Sequence, residues 1–188
     1  MNKRQTCEWP GDDPLMRKYH DTQWGKPVHD DKKHFEAFVL DAFQAGLSWR
    51  TVLYKRENFR KAFAGFDFKK VAKFGPKDAR RLMRDKGIIR NQLKINATIV
   101  NARKFLEIRK EFGTFDDYIW GFVGGKTIHH THDRLSQIGS FSRESDAISK
   151  DLKKRGFKFV GSTIIYAYMQ GVGMVNDHLT CCFRHKRR

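Results

Sequence analysis

The chain is short of three things. It has only three cysteines in 188 residues, Cys7, Cys181 and Cys182. That is too few for a disulfide framework, and one thiolate short of the four that an all-cysteine iron–sulfur cluster requires. It is also short of acid: 21 Asp and Glu stand against 38 Lys and Arg, a formal charge of +17. A surplus of that size favours an anionic polymer as partner, with nucleic acid first through phosphate contacts and counterion release. Lastly, no apolar run approaches the roughly 20 residues needed to span a bilayer. The opening segment Met1 to Pro10 is charged and has no apolar signal-peptide core. These absences set expectations of a cytoplasmic protein that does not engage membranes. Hydrophobic residues at 39% and aromatics at 13% exclude global disorder. The length suits one compact domain over 1–188.

What is present is helical periodicity. Phe35, Phe38, Val39, Ala42 and Gly46 recur at i, i+3, i+4, i+7 and i+11, which predicts a helix over Asp31 to Leu47. Arg50 to Phe63 reads as another helix. Asp67 to Phe74 and Pro76 to Arg84 read as short ones, separated by Gly75. Asn91 to Glu111 reads as a long helix, and Phe115 to Val123 as a further one. Gly124 to Phe141 reads as irregular. Ser145 is the expected N-cap of a helix stopped by Gly156, and Ser162 and Thr163 are the expected caps of a last, buried helix. No strand pair or internal repeat is evident, and the basic tail from Phe183 to Arg188 reads as disordered.

Three constellations carry chemistry. Between the last two helices lies KKRGFKFVG, Lys153 to Gly161. Gly156 and Gly161 would let the backbone approach a phosphate, the N–H groups from Ser162 onward would bind it, and Lys154 and Lys158 add charge. The same residues also suit an ordinary helix–turn–helix connection with a basic surface. Cys7 and His20 near one end, with His178 and Cys182 at i, i+4 near the other, have the donor set of tetrahedral zinc. Two buried thiols and two unrelated histidines are the alternative. His129, His130 and His132 read as solvated loop histidines. Finally, Trp9, Tyr19, Trp24 and Trp49 are concentrated early in the chain, and Asp41 lies at the border of its helix's apolar stripe. Aromatic faces with one carboxylate suit a planar cationic base, and equally suit a core with an acid at its rim.

These signals stand in a recognisable order. DDPLMRKYHDTQWG (Asp12 to Gly25), FQAGLSW (Phe43 to Trp49), LYKRENFRKAF (Leu53 to Phe63), KGIIRN (Lys86 to Asn91), SDAISKDLKKRGFKFVGST (Ser145 to Thr163) and GMVNDHLTCC (Gly173 to Cys182) resemble the DNA-3-methyladenine glycosylase I family of helix-hairpin-helix glycosylases. The resemblance implies an all-α fold, with the hairpin at about 145–172 and a zinc-holding lobe built from about 1–25 and 173–188. It places Cys7, His20, His178 and Cys182 on the ligands of one structural zinc. It also places Tyr19 and Trp49 in a base pocket with Asp41, lined by Trp9, Trp24 and Met16. The implied reaction is hydrolysis of the N-glycosidic bond of a flipped 3-methyladenine in double-stranded DNA, with the free base as product. A monomer is the default expectation. Lyase activity is not expected, since Ser162 and Thr163 stand where Schiff-base relatives carry Lys. The sequence departs from the common pattern at Asp41 for Glu, Met16 for Tyr and Gln23 for Glu. The rival of another class is a basic DNA-binding module without catalysis. A second rival is a glycosylase for other damaged purines.

Overall fold

The computed structural model describes residues 5–185. Ten α-helices account for most of them. α1 (Pro14–Thr22) starts where the Asp13 side chain accepts from the N–H groups of Leu15 and Met16, with Pro14 in its first turn. Its buried residues Met16, Tyr19 and His20 fall on one face. α2 (Asp31–Gln44) is capped by Asp30 and buries Phe35, Phe38, Val39, Ala42 and Asp41. It stops three residues before the predicted end because Ala45 turns extended, at ψ 117°. The ammonium of Lys94 holds this end, donating to the carbonyls of Phe43 at 2.8 Å and Ala45 at 2.6 Å.

The predicted helix Arg50 to Phe63 is in fact two, α3 (Trp49–Tyr54) and α4 (Arg56–Ala62), broken at Lys55. Ser48 caps α3 by accepting from Thr51 N–H, which makes Trp49 its first residue. α5 (Phe68–Val71) and α6 (Pro76–Arg84) lead into the central α7 (Gln92–Phe112), which packs against α2, α5, α6 and α8 (Phe115–Gly121). Aromatic rings fill these contacts. Phe105 stacks on Phe115 at 4.0 Å between centroids and meets Phe35 edge-on at 5.4 Å.

Two short strands correct the expectation of none. β1 (Ile128–His129) pairs in parallel with β2 (Val175–Asn176), Ile128 opposite Val175. Period-2 patterning cannot show in elements of two residues. Between them run α9 (Arg143–Lys154) and α10 (Ser162–Gly171), which pack on each other, α10 also on α2. The cap of α9 is Ser142, not Ser145. Ser142 Oγ accepts from Ser145 N–H, and Ser145 Oγ accepts from Ser142 N–H in return. Ser162 and Thr163 do not cap α10: the N-cap is Gly161, which has no side chain to offer, and the Ser162 hydroxyl, already inside the helix, meets Ser145 Oγ at 2.7 Å.

The two ends of the described chain meet. Gly173 has φ +75°, and a Cβ there would lie 2.3 Å from the Lys26 carbonyl carbon, so only glycine lets these strands of backbone cross. Phe183 N–H donates to the Gln5 carbonyl, and His185 Nδ1 meets the His178 carbonyl at 3.0 Å. The tail predicted as disordered is thus held as far as His185, and its remainder, 186–188, lies outside the described residues. A second apolar cluster forms here from Cys7, Met16, Tyr19, Trp24, Leu53, Leu179 and Cys182. It touches the main core through Trp49 and Ile138.

Candidate base pocket and Cys/His cluster

Where the two clusters meet, a cavity of about 370 Å³ opens, lined by Trp9, Tyr19, Trp24, Asp41, Trp49 and Gln170, among others. α1 supplies Tyr19, the start of α3 supplies Trp49, and α2 supplies Asp41. The rings form a continuous wall: Trp9 meets Trp24 at 5.1 Å and Tyr19 meets Trp49 at 5.1 Å. A volume of this order is that of a small-molecule site.

The wall's one carboxylate is poorly solvated. Asp41 is only 7% exposed, and among the described residues its side chain has no hydrogen-bond partner. Burial pushes its pKa well above the usual carboxylate range, against a smaller opposing pull from Arg56. Arg56 is itself held by Glu36 and Gln23. Burial, and then the charge of Asp41, likewise raise the pKa of Tyr19. A methyl group added to Gly171 would lie 3.3 Å from the Tyr19 hydroxyl and 4.0 Å from Asp41 Oδ2, so both polar atoms flank one point on α10. The indole nitrogens of Trp9 and Trp49 are buried with no hydrogen-bond partner among the described residues. An aromatic slot with an unpaired acceptor suits a flat, positively charged ligand.

Behind Trp24 lies a group of metal-ligating side chains. The donor atoms of Cys7, His20 and Cys182 fall within 4.8 Å of one another, all three residues buried. His20 Nε2 is 3.6 Å from Cys182 Sγ, while its Nδ1 is 2.7 Å from Asp21 Oδ1. Backbone N–H groups of Leu179 and Arg184 point at the two sulfurs. The Cys7 hydrogen bond drives Cys182 toward thiolate, against burial and with help from His20. His178 does not fall inside this group of three, but its ring is 5.0 Å from that of His20. Its Nδ1 donates to Asn176 Oδ1 at 2.8 Å, which leaves the lone pair on Nε2 buried with no hydrogen-bond partner among the described residues. Burial lowers its pKa to about 4. His178 and Cys182 do not share a helix face as i, i+4 neighbours: the chain there is strand and turn.

The family model for methyladenine glycosylase matches residues 9–185. The chain belongs to the methyladenine glycosylase family. DNA-3-methyladenine glycosylase 1 of Escherichia coli (strain K12) is 49% identical over 181 residues, covering 95% of this chain and 97% of the relative. A crystal structure of 3-methyladenine DNA glycosylase I superposes with a TM-score of 0.94 at 47% identity, covering 97% of this chain and all of the other. The structure describing 3-methyladenine recognition by the Staphylococcus aureus glycosylase I does so at 0.93 and 32% identity, over 97% of both chains.

In this methyladenine glycosylase, Trp9, Tyr19, Trp24, Asp41 and Trp49 converge on one cavity. Met16 does not line it. That side chain is buried in the second cluster and borders an adjoining cleft with Trp9, Asp13 and Tyr54. Sequence reasoning missed Gln44, Leu135, Ile138, Ala167 and Gln170. Gln44 lies within the quoted run beside Phe43. Leu135 and Ile138 come from the irregular stretch, where no periodicity marks an inward face. His130 and His132 are not solvated loop residues: their side chains are 32% and 17% exposed and both approach the buried Asp177.

The link from α9 to α10 is rigidly placed. Gly156 takes φ +90° and ends α9. The Asn101 amide holds both backbone groups of Lys158, at 2.8 and 2.9 Å, and Ser149 Oγ donates to the Val160 carbonyl. Phe157 and Val160 are buried while Lys154 and Lys158 are exposed, and a Cβ on Gly161 would meet nothing within 4 Å.

Proposed function

We infer that this protein is a DNA repair glycosylase that excises 3-methyladenine from alkylated DNA. The observation that carries the reading is Asp41: a buried carboxylate, lacking a hydrogen-bond partner among the described residues, in a slot walled by indoles. In DNA, 3-methyladenine is a cation, and a cation is what this pocket lacks. The damaged nucleotide is flipped from the duplex into the cavity. Trp49 stacks on it, Asp41 and Tyr19 meet its edge, and Trp9 and Trp24 exclude water. Ring–cation attraction contributes about 0.5 to 2 kcal/mol. Because the charged base is already a good leaving group, no strong general acid is required, and water completes hydrolysis of the N-glycosidic bond.

The α9–α10 link supports a helix-hairpin-helix grip on the DNA backbone. Its rigid backbone, the uncapped N-terminus of α10 at Gly161 and Ser162, and exposed Lys154 and Lys158 present N–H donors and charge to a phosphate. The cluster behind Trp24 supports one structural zinc held by Cys7, His20, His178 and Cys182. The orphaned Nε2 of His178 and the His20–Asp21 and His178–Asn176 contacts are what such a site needs to orient its imidazoles. Four protein ligands leave no position for water, so the ion would tie the chain ends together and take no part in the chemistry. The protein acts as a monomer on double-stranded DNA and does not nick the strand.

A backbone-binding module without catalysis has no use for a solvent-starved carboxylate. Quenching of tryptophan fluorescence by free 3-methyladenine distinguishes the two. Saturable quenching is expected here, and its absence would make the chain a binder alone.

A further inference from the structure

Gln170 is half-buried at the cavity wall, one turn after Tyr166 on α10. Both side chains reach the same buried carboxylate: Gln170 Nε2 donates to Asp177 Oδ2 at 2.7 Å and the Tyr166 hydroxyl at 2.8 Å. His130 Nδ1 occupies the other oxygen at 2.6 Å. A carboxylate only accepts, so the amide of Gln170 must present its nitrogen to Asp177. Turning the amide over would set oxygen against oxygen. The orientation of this amide, ambiguous for most glutamines, is therefore fixed. Its oxygen, Oε1, is left without a hydrogen-bond partner among the described residues.

We propose that Gln170 Oε1 accepts a hydrogen bond from the exocyclic amino group of the flipped base, and so selects 6-amino over 6-oxo purines. The proposal rests on the reading of this cavity as the 3-methyladenine pocket. The amino group at C6 of adenine offers two N–H donors. Guanine and hypoxanthine carry a carbonyl there, which offers none. Asp41 is an acceptor when ionised, and Gln170 Oε1 is one always. An amino group satisfies both, whereas a carbonyl leaves both unpaired and facing a like dipole. A site built to pair with a substrate N–H rejects an analogue lacking it far more strongly than an apolar pocket rejects a change of shape. Asp177, with Tyr166 and His130 behind it, is a positioning group: it does not touch the base but decides which end of the amide does.

The test is release of free bases from methylated duplex DNA containing both 3-methyladenine and 3-methylguanine. The two lesions share the N3 methyl and the positive charge. The variant is Gln170→Met, close in size and without an acceptor. The expected result is a fall of tenfold or more in the ratio of 3-methyladenine to 3-methylguanine release, on the order of what losing one such hydrogen bond gives. An unchanged ratio, from a variant with the parent's thermal transition, overturns the proposal. If the variant does not fold, the unmodified protein decides. Its fluorescence titration with free 3-methyladenine and with 3-methylhypoxanthine, which differ at C6, must show weaker binding of the second, and equal binding overturns the proposal. The underlying reading fails separately: a parent that releases no 3-methyladenine refutes the pocket assignment, whereas a parent that releases it beside a variant of unchanged ratio refutes only the role of Gln170.

Discussion

Replacing Asp41 by Asn keeps the size and shape of the side chain and removes its charge. In the free protein that charge is a liability. Asp41 is buried with no hydrogen-bond partner among the described residues, and burial outweighs the pull of Arg56, so its pKa in the folded state lies above that in the unfolded chain. Its contribution to stability is fully present below the unfolded value, and is lost as pH rises through the folded value. At neutral pH the Asn variant is therefore expected to unfold at a higher temperature than the parent. With a cationic base bound, the balance reverses. An ion pair at about 4 Å is worth about 4 kcal/mol at an effective dielectric constant near 20, and a hydrogen bond to a buried charge about 1.5–3. A loss of about 2–4 kcal/mol corresponds to a fall of roughly 30- to 1000-fold in kcat/KM for 3-methyladenine excision. The assay is single-turnover release from a duplex carrying one lesion, run across pH. The parent should show an acid limb well above the usual carboxylate range, as Asp41 gains its proton, and the Asn variant should lack it. A variant that is both as fast as the parent and unaltered in pH profile would refute the reasoning.

Other outcomes follow from the same geometry. Stripping metal with a strong chelator should lower the melting temperature by about 10 °C or more, since each kcal/mol moves it by about 2–4 °C at this size; an unchanged transition removes the zinc assignment. Lys94→Met, which frees the carbonyls of Phe43 and Ala45, should destabilise the fold by about 2 kcal/mol, seen as a lower denaturation midpoint. A more stable variant would show that the desolvated ammonium costs more than its bonds return. The double variant Lys154→Gln with Lys158→Gln should weaken binding to undamaged duplex and reduce the slope of log K against log salt by about 2, near 0.9 per phosphate contact. An unchanged slope would move the DNA-facing surface elsewhere.

Much of this was legible in the chain itself, for physical reasons that vary by region. α2, α7 and α10 declare themselves because each buries a stripe long enough to repeat. Boundaries are less legible where a side chain from afar decides them. Lys94 closes α2 from 50 residues downstream, and the reciprocal Ser142–Ser145 bonds move the α9 cap by three residues. The convergence of Tyr19, Asp41 and Trp49 was legible only through the ordered motifs, since no local spacing brings three helices to one cavity. Gln170 and His130 had no signal of their own. Their meaning comes from Asp177, a residue that periodicity ignores and tertiary contact makes central.

The central claim is that the Asp41 cavity holds a cationic adenine lesion while its glycosidic bond is hydrolysed. Chromatography of the bases freed from N-methylated duplex DNA by the folded protein tests it most directly. The account predicts selective release of 3-methyladenine with the sugar–phosphate strand left intact. Retained DNA binding with no base released, or release that proceeds through a strand break, would contradict it.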